Sequence, residues 1–274
     1  MVAERQSVFV IGDVHGHTDT AVAALRRAGL LDEAGSWAGG NAALWFLGDL
    51  VDRGDQGLAA IDLVIRLQRE AEDSGGRVHC LAGNHDLLFM GVHRFAPGPG
   101  ASDLLDTWLL NGGRAEEVRD LNDEQASWML SLPLVGKEDE TLLVHSDAPF
   151  YTELGATVDE VNGAFARLLA TESAEEWWRF TVRLFARFGL DSSAQQGAAG
   201  LASMLDHFSV QRIVHGHTPI PAATRVDPHA VTRPLVYSEG RCINCDGGMY
   251  LGGPGFVYRL HAGANDTEHS TIET

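Results

Sequence analysis

The sequence predicts an α/β fold in which parallel strands alternate with helices. Short apolar runs typical of buried strands are each followed by a turn and then by an amphipathic helical pattern. The 274 residues are 45% hydrophobic and 21% charged, as expected for a globular chain with a large core. Polar residues follow the apolar runs directly. In sheets of this class, ligands bind beyond the carboxyl ends of the strands.

The first part of the chain predicts strand–helix units in succession. Residues 8–11 are a continuous apolar run, and 18–30 have the periodicity of a helix. Residues 42–47 predict a second strand, which is followed by a helix with one apolar face, and 77–81 predict a third strand. Alternation of this kind implies parallel pairing through right-handed crossovers.

The alternation of strands and helices is interrupted after the third predicted strand. A Pro/Gly loop precedes helical stretches around Trp108 and Trp128, which predicts a helical cap insertion at about 87–140. Strands are predicted again at 141–144 and 212–214, with mainly helical sequence at 157–210 between them.

The last segments complete the predicted domain. Within the helical stretch, 195–200 is expected to be a mobile loop. Turn sequences at 238–240 and 252–255 predict two turn-linked antiparallel pairs that complete the sheet. We therefore expect one domain over residues 1–274.

Charge and cysteine content limit the partners and the compartment. The net charge of −18 disfavours nucleic acid polymers and anionic membrane surfaces. There is no apolar signal region at the start and no stretch of about 20 apolar residues. Three cysteines argue against a disulfide framework, so a cytoplasmic location is expected. Strand spacing would send the thiols of Cys242 and Cys245 to opposite faces rather than to one metal.

Potential metal ligands follow several of the predicted strands. In chain order they are Asp13 and His15, Asp49, Asn84 and His85, His145, and His215 and His217. Because the carboxyl ends of parallel strands meet at one edge of a sheet, we expect these side chains to converge. On extended backbone, residues two apart point to the same side, so both His215 and His217 remain candidates.

The chemistry of these side chains points to a pair of metal ions. Asp49 and Asp52 lie directly behind a buried strand, where two like charges need a cation or a proton. Oxygen and imidazole ligands without thiolate suit manganese, iron, zinc or nickel. Asp49 is central in the order and could bridge two ions about 3.5–4 Å apart, the geometry of two-metal hydrolysis.

The ordered motifs resemble those of the calcineurin-like metallophosphoesterase superfamily, and in particular its bacterial phosphoprotein phosphatase branch. They are GDVHG, GDLVDRG, GNHD, VH and GHT, and two further segments, WLLNGG at 108–113 and NCDGGMYLGG at 244–253, extend the resemblance over nearly the whole chain. The resemblance implies a metallophosphoesterase-type four-layer α/β/β/α sandwich with a helical cap insertion.

The resemblance also implies a ligand set for two divalent metal ions, with manganese preferred. The first ion would be held by Asp13, His15 and Asp49. The second would be held by Asp49, Asn84, His145 and His217. The family's Gly-His pair matches Gly216 and His217, which favours His217 over His215.

The resemblance further implies catalytic roles for three residues. A hydroxide that bridges the metals would attack phosphorus, His85 would protonate the leaving oxygen, and Asp52 would orient His85. Arg53 would bind the phosphoryl oxygens.

The match is less clear at two other places. The WWR sequence at 177–179 resembles a family W-x-R that places a second phosphate-binding arginine, here Arg179, although tryptophans of this helix could equally pack in the core. Ser146 and Asp147 stand where the family usually has small residues. The added carboxylate could change the charge preferred in a substrate or add a hydrogen bond around the metal ligands.

The function implied is that of a dinuclear-metal phosphatase acting on phosphomonoesters, most closely a protein serine/threonine phosphatase. Symmetrical hydrolysis of dinucleoside polyphosphates, or dephosphorylation of a small metabolite, would use the same chemistry. A non-catalytic scaffold is a further alternative, although such a protein would be expected to have lost ligands that this chain retains. The expected partner is a phosphorylated protein or a small phosphorylated molecule.

Overall fold

Residues 6–260 are described by a computed structural model, in which nine strands form two sheets. The remaining residues of the expected domain, 1–5 and 261–274, lie outside this range. The strands are β1 (Val8–Ile11), β2 (Ala43–Phe46), β3 (Arg77–Cys80), β4 (Val135–Glu138), β5 (Thr141–Val144), β6 (Arg212–His215), β7 (Leu235–Tyr237), β8 (Cys242–Asn244) and β9 (Val257–Leu260).

Each sheet has a parallel centre. The first sheet has the order β3-β2-β1-β9, in which β1, β2 and β3 are parallel and β9 is antiparallel to β1. The second has the order β4-β5-β6-β8-β7, in which β5, β6 and β8 are parallel and both edge strands are antiparallel. Parallel centres bring several strand ends to the same edge, as expected from the alternation of strands and helices.

Most helices pack on the outer faces of the sheets, whereas Ile220 of the short α10 joins the cluster between the sheets. Among the described residues they are α1 (Thr18–Arg27), α2 (Gly57–Asp73), α3 (Asn84–Phe95), α4 (Ser102–Leu110), α5 (Ala115–Asp120), α6 (Asp123–Met129), α7 (Val158–Leu169), α8 (Ala174–Arg183), α9 (Gln195–His207) and α10 (Ile220–Thr224). No helix within 6–260 is both long and apolar enough to cross a bilayer.

Side-chain alternation on the strands produces the layers. Val10 of β1 packs between the sheets with Val214 of β6 and Ile243 of β8. The next residue along β1, Ile11, points the other way and packs with the helices in the larger apolar cluster. The sheets therefore stack face to face with helices outside them, and the predicted four-layer α/β/β/α sandwich is confirmed.

The predicted insertion at 87–140 contains most of α3, all of α4 to α6, and also β4. Since β4 pairs antiparallel with β5, its residues belong to the second sheet and the helical part ends before it. The insertion is tied to the rest of the fold through Glu117 of α5, whose carboxylate accepts the backbone N–H of Gly57 at the start of α2 at 2.6 Å.

Two local predictions were wrong. Residues 195–200, expected to be a loop, form the first part of α9. Its small residues allow close packing, because a Cβ on Gly197 would lie 2.1 Å from the carbonyl oxygen of Asp191. The turn at 252–255 does not join a hairpin. A short 3₁₀ helix, Met249–Leu251, precedes it, and β9 then pairs with β1 of the other sheet.

The turn at 238–240 does join an antiparallel pair, β7 and β8, as predicted. The neighbouring cysteines also behave as predicted. Cys242 packs in the cluster on the helical side and Cys245 in the cluster between the sheets, so their thiols lie on opposite faces. Both are buried and free.

Candidate metal and phosphate site

The structure brings the polar residues of five strand ends together. Asp13 and His15 follow β1, Asp49 follows β2, Asn84 and His85 begin α3 after β3, His145 follows β5, and His217 follows β6. Each is at most 2% exposed. Ligand atoms of Asp49, His15 and His85 lie within 4.8 Å of one another, as do those of Asp49, His145 and His217. Asp49 therefore belongs to both groups.

The backbone is left-handed at several of these positions. The φ angle is 47° at His15, 52° at Asp49, 69° at both Asp52 and Arg53, and 67° at His217. Non-glycine residues rarely adopt such angles, and the strain persists where the surrounding structure fixes it, often at functional sites.

Two motif glycines allow side chains of the site to approach the backbone. A Cβ on Gly83 would lie 2.1 Å from Asp49 Oδ1, and a Cβ on Gly216 would lie 2.2 Å from Asp13 Oδ1. No side chain fits at either position without displacing a carboxylate. The glycines before Asn84 and His217 are therefore required by the packing of the site.

The first group centres on the imidazole of His15. Its Nδ1–H donates to the carbonyl oxygen of Val51 at 3.1 Å, so the lone pair of a neutral ring is on Nε2. That atom lies 3.6 Å from Asp49 Oδ2 and 3.9 Å from Asp13 Oδ2. Burial raises the pKa of Asp13 well above its usual range, with Asp246 adding to the increase, and burial lowers the pKa of His15.

The second group centres on His145. Its Nδ1–H donates to the carbonyl oxygen of Leu47 at 2.9 Å, which leaves Nε2 to face Asn84 Oδ1 at 3.0 Å and Asp49 Oδ2 at 3.4 Å. Burial alone would lower the pKa of His145, but Asp49 raises it to about 10. In the absence of a metal ion, a proton on Nε2 thus relieves the repulsion between these acceptors.

These donor sets fit divalent metal ions. In each group imidazole nitrogens and carboxylate or amide oxygens converge, and a cation that displaces the proton on His145 Nε2 would stabilise this arrangement. Within residues 6–260, His217 Nδ1 is buried without a hydrogen-bond partner, and binding of a metal there would move the ring proton to Nε2 and release the hydrogen bond that this atom accepts from Arg187. The Nδ1 hydrogen bonds of His15 and His145 to backbone carbonyls fix each ring orientation, a common feature of metal-binding histidines.

His85, the third member of the first group, also belongs to a chain of hydrogen bonds. Its Nδ1–H donates to Asp52 Oδ2 at 2.8 Å, and Trp108 Nε1–H donates to Asp52 Oδ1 at 2.8 Å. Burial raises the pKa of Asp52. The Asp52 carboxylate therefore orients His85 so that Nε2 points away from it, toward the space that Arg53 occupies.

Arg53 lies across this space. Its Nη2–H donates to His85 Nε2 at 3.0 Å, and its guanidinium carbon lies 3.8 Å above the ring of Tyr250. The backbone N–H of Arg53 donates to the carbonyl oxygen of Gly112 at 2.9 Å. A fixed guanidinium next to a buried imidazole and two groups of potential metal ligands could bind an oxyanion.

Asp86 supports the Asp49 loop. Its Oδ2 accepts the backbone N–H groups of Asp49 at 2.8 Å and Gly83 at 2.9 Å, and its Oδ1 accepts that of Leu50 at 3.0 Å. Burial raises the pKa of Asp86 to about 6. The last residue of GNHD therefore holds the loop that presents Asp49.

The structure distinguishes the two histidines of the last motif. His215 has both ring nitrogens engaged, with Nδ1 2.9 Å from the carbonyl oxygen of Gly216 and Nε2 2.8 Å from the hydroxyl of Tyr237. His217 belongs to the group around Asp49. Of these two histidines, His217 has the position of a metal ligand.

Arg179, which the sequence suggested as a second phosphate-binding arginine, does not contact the candidate site in the structure. Arg179 is 71% exposed on α8 and pairs with Glu175 at 3.5 Å, whereas Trp177 of the same helix is buried. Arg187, beyond the end of α8, donates from Nε to His217 Nε2 at 3.2 Å. Sequence reasoning missed Arg187 because no motif marks it. The one available signal was its place in a basic, aromatic stretch, FARF at 185–188, ahead of the last strand motif.

The family profile described as calcineurin-like phosphoesterase matches residues 7–221. Shewanella-like protein phosphatase 2 of Arabidopsis thaliana is 35% identical over 83 residues, which are 30% of this chain and 21% of that protein. The symmetrical bis(5'-nucleosyl)-tetraphosphatase of Enterobacter sp. strain 638 is 32% identical over 146 residues, which are 52% of this chain and 43% of that protein. The matches thus span less than half of these relatives.

A solved structure has the same fold. The cold-active protein-tyrosine phosphatase of a psychrophilic Shewanella superposes with a TM-score of 0.70 at 23% identity, over 93% of this chain and 75% of the other. At that identity the likeness concerns the arrangement of strands and helices. It agrees with the two stacked sheets and flanking helices described above.

Proposed function

Because the chain belongs to the calcineurin-like phosphoesterase family, we propose that it is a metal-dependent phosphatase that hydrolyses phosphomonoesters of proteins, with serine/threonine esters as the expected class. The observation that carries this proposal is the position of His85. Its Nδ1 is bound to Asp52, its Nε2 faces Arg53, and its ring lies in one group with Asp49 and His15.

Metal binding would use the two groups that share Asp49. Asp13, His15 and Asp49 would hold one ion, and Asp49, Asn84, His145 and His217 the other; manganese is the ion we propose. Such ions supply Lewis acidity and lower the pKa of a bound water, so that a nucleophile forms at neutral pH. Asp49, whose pKa is held well below its usual range, would supply the negative charge that both ions share.

The arginines would bind the phosphoryl group. Arg53 and Arg187 contact the two sides of the site through His85 and His217. A guanidinium fork can donate two hydrogen bonds to phosphate oxygens, and it stabilises charge that develops in the transition state. A phosphomonoester dianion suits two guanidinium groups and two cations better than a diester monoanion does.

His85 would donate a proton to the leaving oxygen from Nε2. Asp52 stabilises the protonated ring through Nδ1, as the carboxylate of a hydrogen-bonded dyad does. In the resting arrangement, Nε2 accepts a hydrogen bond from Arg53. When phosphate oxygens take over that guanidinium, Nε2 becomes available to the ester oxygen.

The test of this role compares leaving groups. His85→Ala should reduce kcat for an alkyl phosphate by about 10²–10⁴-fold, the usual range for general acids, and reduce it much less for an activated aryl phosphate that leaves without protonation. Metal content should stay at the wild-type value. His79→Ala, whose ring stacks on Trp45 in the first sheet, is the control and should leave both rates unchanged. Equal losses for both esters would contradict the assignment.

The substrate class is tested with a panel on manganese-loaded protein. It contains a phosphoserine peptide, a phosphotyrosine peptide, a symmetrical dinucleoside tetraphosphate and an aryl phosphodiester. Preferred turnover of the phosphoserine peptide supports the proposal, and preferred turnover of the phosphotyrosine peptide would contradict the serine/threonine class. The tetraphosphate represents the second candidate function, which the match to the Enterobacter tetraphosphatase over 52% of this chain favours. Turnover of the tetraphosphate or the diester alone would overturn the protein phosphatase proposal.

A further inference from the structure

Asp147 lies next to the site without contacting the potential metal ligands directly. Its carboxylate is 2% exposed and fully engaged. Oδ2 accepts the backbone N–H of Phe188 at 2.7 Å, and Oδ1 accepts the hydroxyl of Thr218 at 2.8 Å. The backbone oxygen of Asp147 accepts the N–H of Gly189 at 2.9 Å. This carboxylate therefore joins two segments that are distant in sequence.

Both partners of the carboxylate are neighbours of site residues. Thr218 follows His217, and Phe188 follows Arg187. The guanidinium of Arg187 in turn donates from Nε to His217 Nε2 at 3.2 Å. Asp147 thus binds the Phe188 backbone on one side of the contact between Arg187 and His217, and the Thr218 side chain on the other.

The turn that carries Arg187 lies between two buried residues, Leu184 and Leu190, but its tip at Phe188 is exposed and depends on polar contacts. Phe188 has a φ of 60°, an unfavourable left-handed angle for an aromatic residue, and its side chain is 56% exposed. Burial of this side chain therefore contributes little to the turn. A Cβ on Gly189 would lie 2.9 Å from the backbone oxygen of Asp147, so the turn packs directly against Asp147.

We propose that Asp147 is a positioning residue that holds Arg187 beside His217 and thereby sets the affinity of the site for a phosphoryl group. This inference rests on the proposed function, in which Arg187 binds phosphate oxygens. With a small residue at 147, the Phe188 N–H and the Thr218 hydroxyl would lose their acceptor, and a strained, exposed turn would relax. Of the two roles open for this carboxylate at the sequence level, the geometry points to the hydrogen-bonding one.

The experiment is a double-mutant cycle on Asp147→Ala and Arg187→Ala, read by KM and kcat for an aryl phosphate and by calorimetric binding of inorganic phosphate to manganese-loaded protein. Asp147→Ala should raise KM and the phosphate Kd by about tenfold, as loss of a hydrogen bond to a charged group would, with a smaller change in kcat. In the Arg187→Ala background the same change should have little further effect.

A conservative variant and a control distinguish a positioning role of Asp147 from a general effect of its substitution on protein stability. Asp147→Asn should recover most of the affinity, because the amide oxygen can accept the Phe188 N–H while the Thr218 hydroxyl accepts from the amide nitrogen. Asp191→Ala is the control. Its carboxylate accepts only the N–H of Ser193 among the hydrogen bonds of the described residues, and its loss should leave KM unchanged.

If Asp147→Ala does not fold, Gly189→Ala provides the second test. The added methyl group pushes the turn away from Asp147, and the phosphate Kd should rise in the wild type but not in the Arg187→Ala background. Losses that multiply in the double variant, or an unchanged phosphate Kd in Asp147→Ala or Gly189→Ala, would overturn the inference. An inactive wild type would refute the proposed function, and the phosphate-binding cycle would still decide the role of Asp147.

Discussion

Asp49 is the residue on which both halves of the candidate metal site depend. Its Oδ1 accepts the backbone N–H of His85 at 2.8 Å, while its Oδ2 lies 3.6 Å from His15 Nε2 and 3.4 Å from His145 Nε2. Burial would raise the pKa of Asp49, but His145 and His85 hold it well below its usual range. An ionised carboxylate between two imidazole nitrogens is suited to bridge two cations.

Two substitutions should therefore have different effects on metal content. Asp49→Asn should remove both ions, because it replaces the shared carboxylate by a neutral amide. Asp13→Asn should remove only one, since Asp13 Oδ2 faces the ring nitrogen of His15 in the first group at 3.9 Å, whereas its contact with the second group is to the backbone N–H of His217. Elemental analysis after dialysis against manganese measures the stoichiometry, with Asp191→Asn as the control. Two retained ions in Asp49→Asn would contradict the bridging role.

At the scale of elements, a segment made of the last turn of α4 and the three residues after it supports both His85, the proposed acid, and Arg53. We define this segment as residues 108–113, the WLLNGG sequence. Trp108 donates to Asp52, and the carbonyl oxygen of Gly112 accepts the N–H of Arg53 at 2.9 Å. Gly113 lies against the Trp108 ring, where a Cβ would come within 2.2 Å. The cap insertion thus contributes to the geometry of the site.

Removal of the Trp108 hydrogen bond should weaken acid catalysis without loss of metal. Trp108→Phe leaves Asp52 Oδ1 buried without its donor, which costs about 1–3 kcal/mol for an unpaired polar group and disturbs the orientation of His85. We expect kcat for an alkyl phosphate to fall by roughly tenfold or more and that for an activated aryl phosphate to fall less. Trp128→Phe, in α6, is a matched control whose indole pairs with Gln68. Equal effects of the two variants on kcat would exclude a specific role for Trp108.

The sequence predicted correctly those elements whose position depends on local residue patterns. The strands before Asp13, Asp49 and His145 are short apolar runs, and the polar residues directly behind them are placed by the strand itself. The helix at 195–200 was missed because its stability comes from packing rather than composition. Gly200, for example, packs against the carbonyl oxygen of Gly189. The hydrophobic periodicity of the sequence does not reveal such a contact.

Arg187 illustrates what the sequence could not supply. Its position depends on a left-handed turn at Phe188 and on the carboxylate of Asp147, which lies 41 residues before Phe188 in the sequence. By contrast, Arg179 was suggested by a local W-x-R pattern, yet the periodicity of α8 buries Trp177 and leaves Arg179 in solvent. Long-range contacts decided which arginine reaches the site.

At the scale of the whole molecule, the candidate site joins the two sheets. Asp13, His15 and Asp49 come from the first sheet, and His145 and His217 from the second. A ligand that binds only the folded chain stabilises it, by about 4 kcal/mol when its free concentration exceeds Kd a thousandfold. Bound ions would therefore stabilise the stacking of the two sheets in addition to their role in hydrolysis.

This linkage predicts that the stabilising effect of metal grows with pH. In the metal-free protein, Asp49 raises the pKa of His145 from its ordinary 6.5 to about 10. The proton's contribution to stability is therefore complete below about pH 6.5 and is lost as the pH rises toward 10. Burial raises the pKa of Asp86 to about 6, so the metal-free protein also loses stability as the pH rises through that lower range. A metal ion on His145 replaces the proton, so the loaded protein avoids this loss.

The measurement is the difference in Tm between manganese-loaded and chelator-treated protein, followed from about pH 6.5 to about pH 8.5 under anaerobic conditions. We expect this difference to widen as the pH rises. In His145→Asn the widening should disappear, because no imidazole remains to exchange a proton for an ion. In His215→Gln it should persist, since burial lowers the pKa of His215 and the ring is already neutral. A Tm difference that stays constant with pH in the wild type would show that His145 does not exchange its proton for a metal ion.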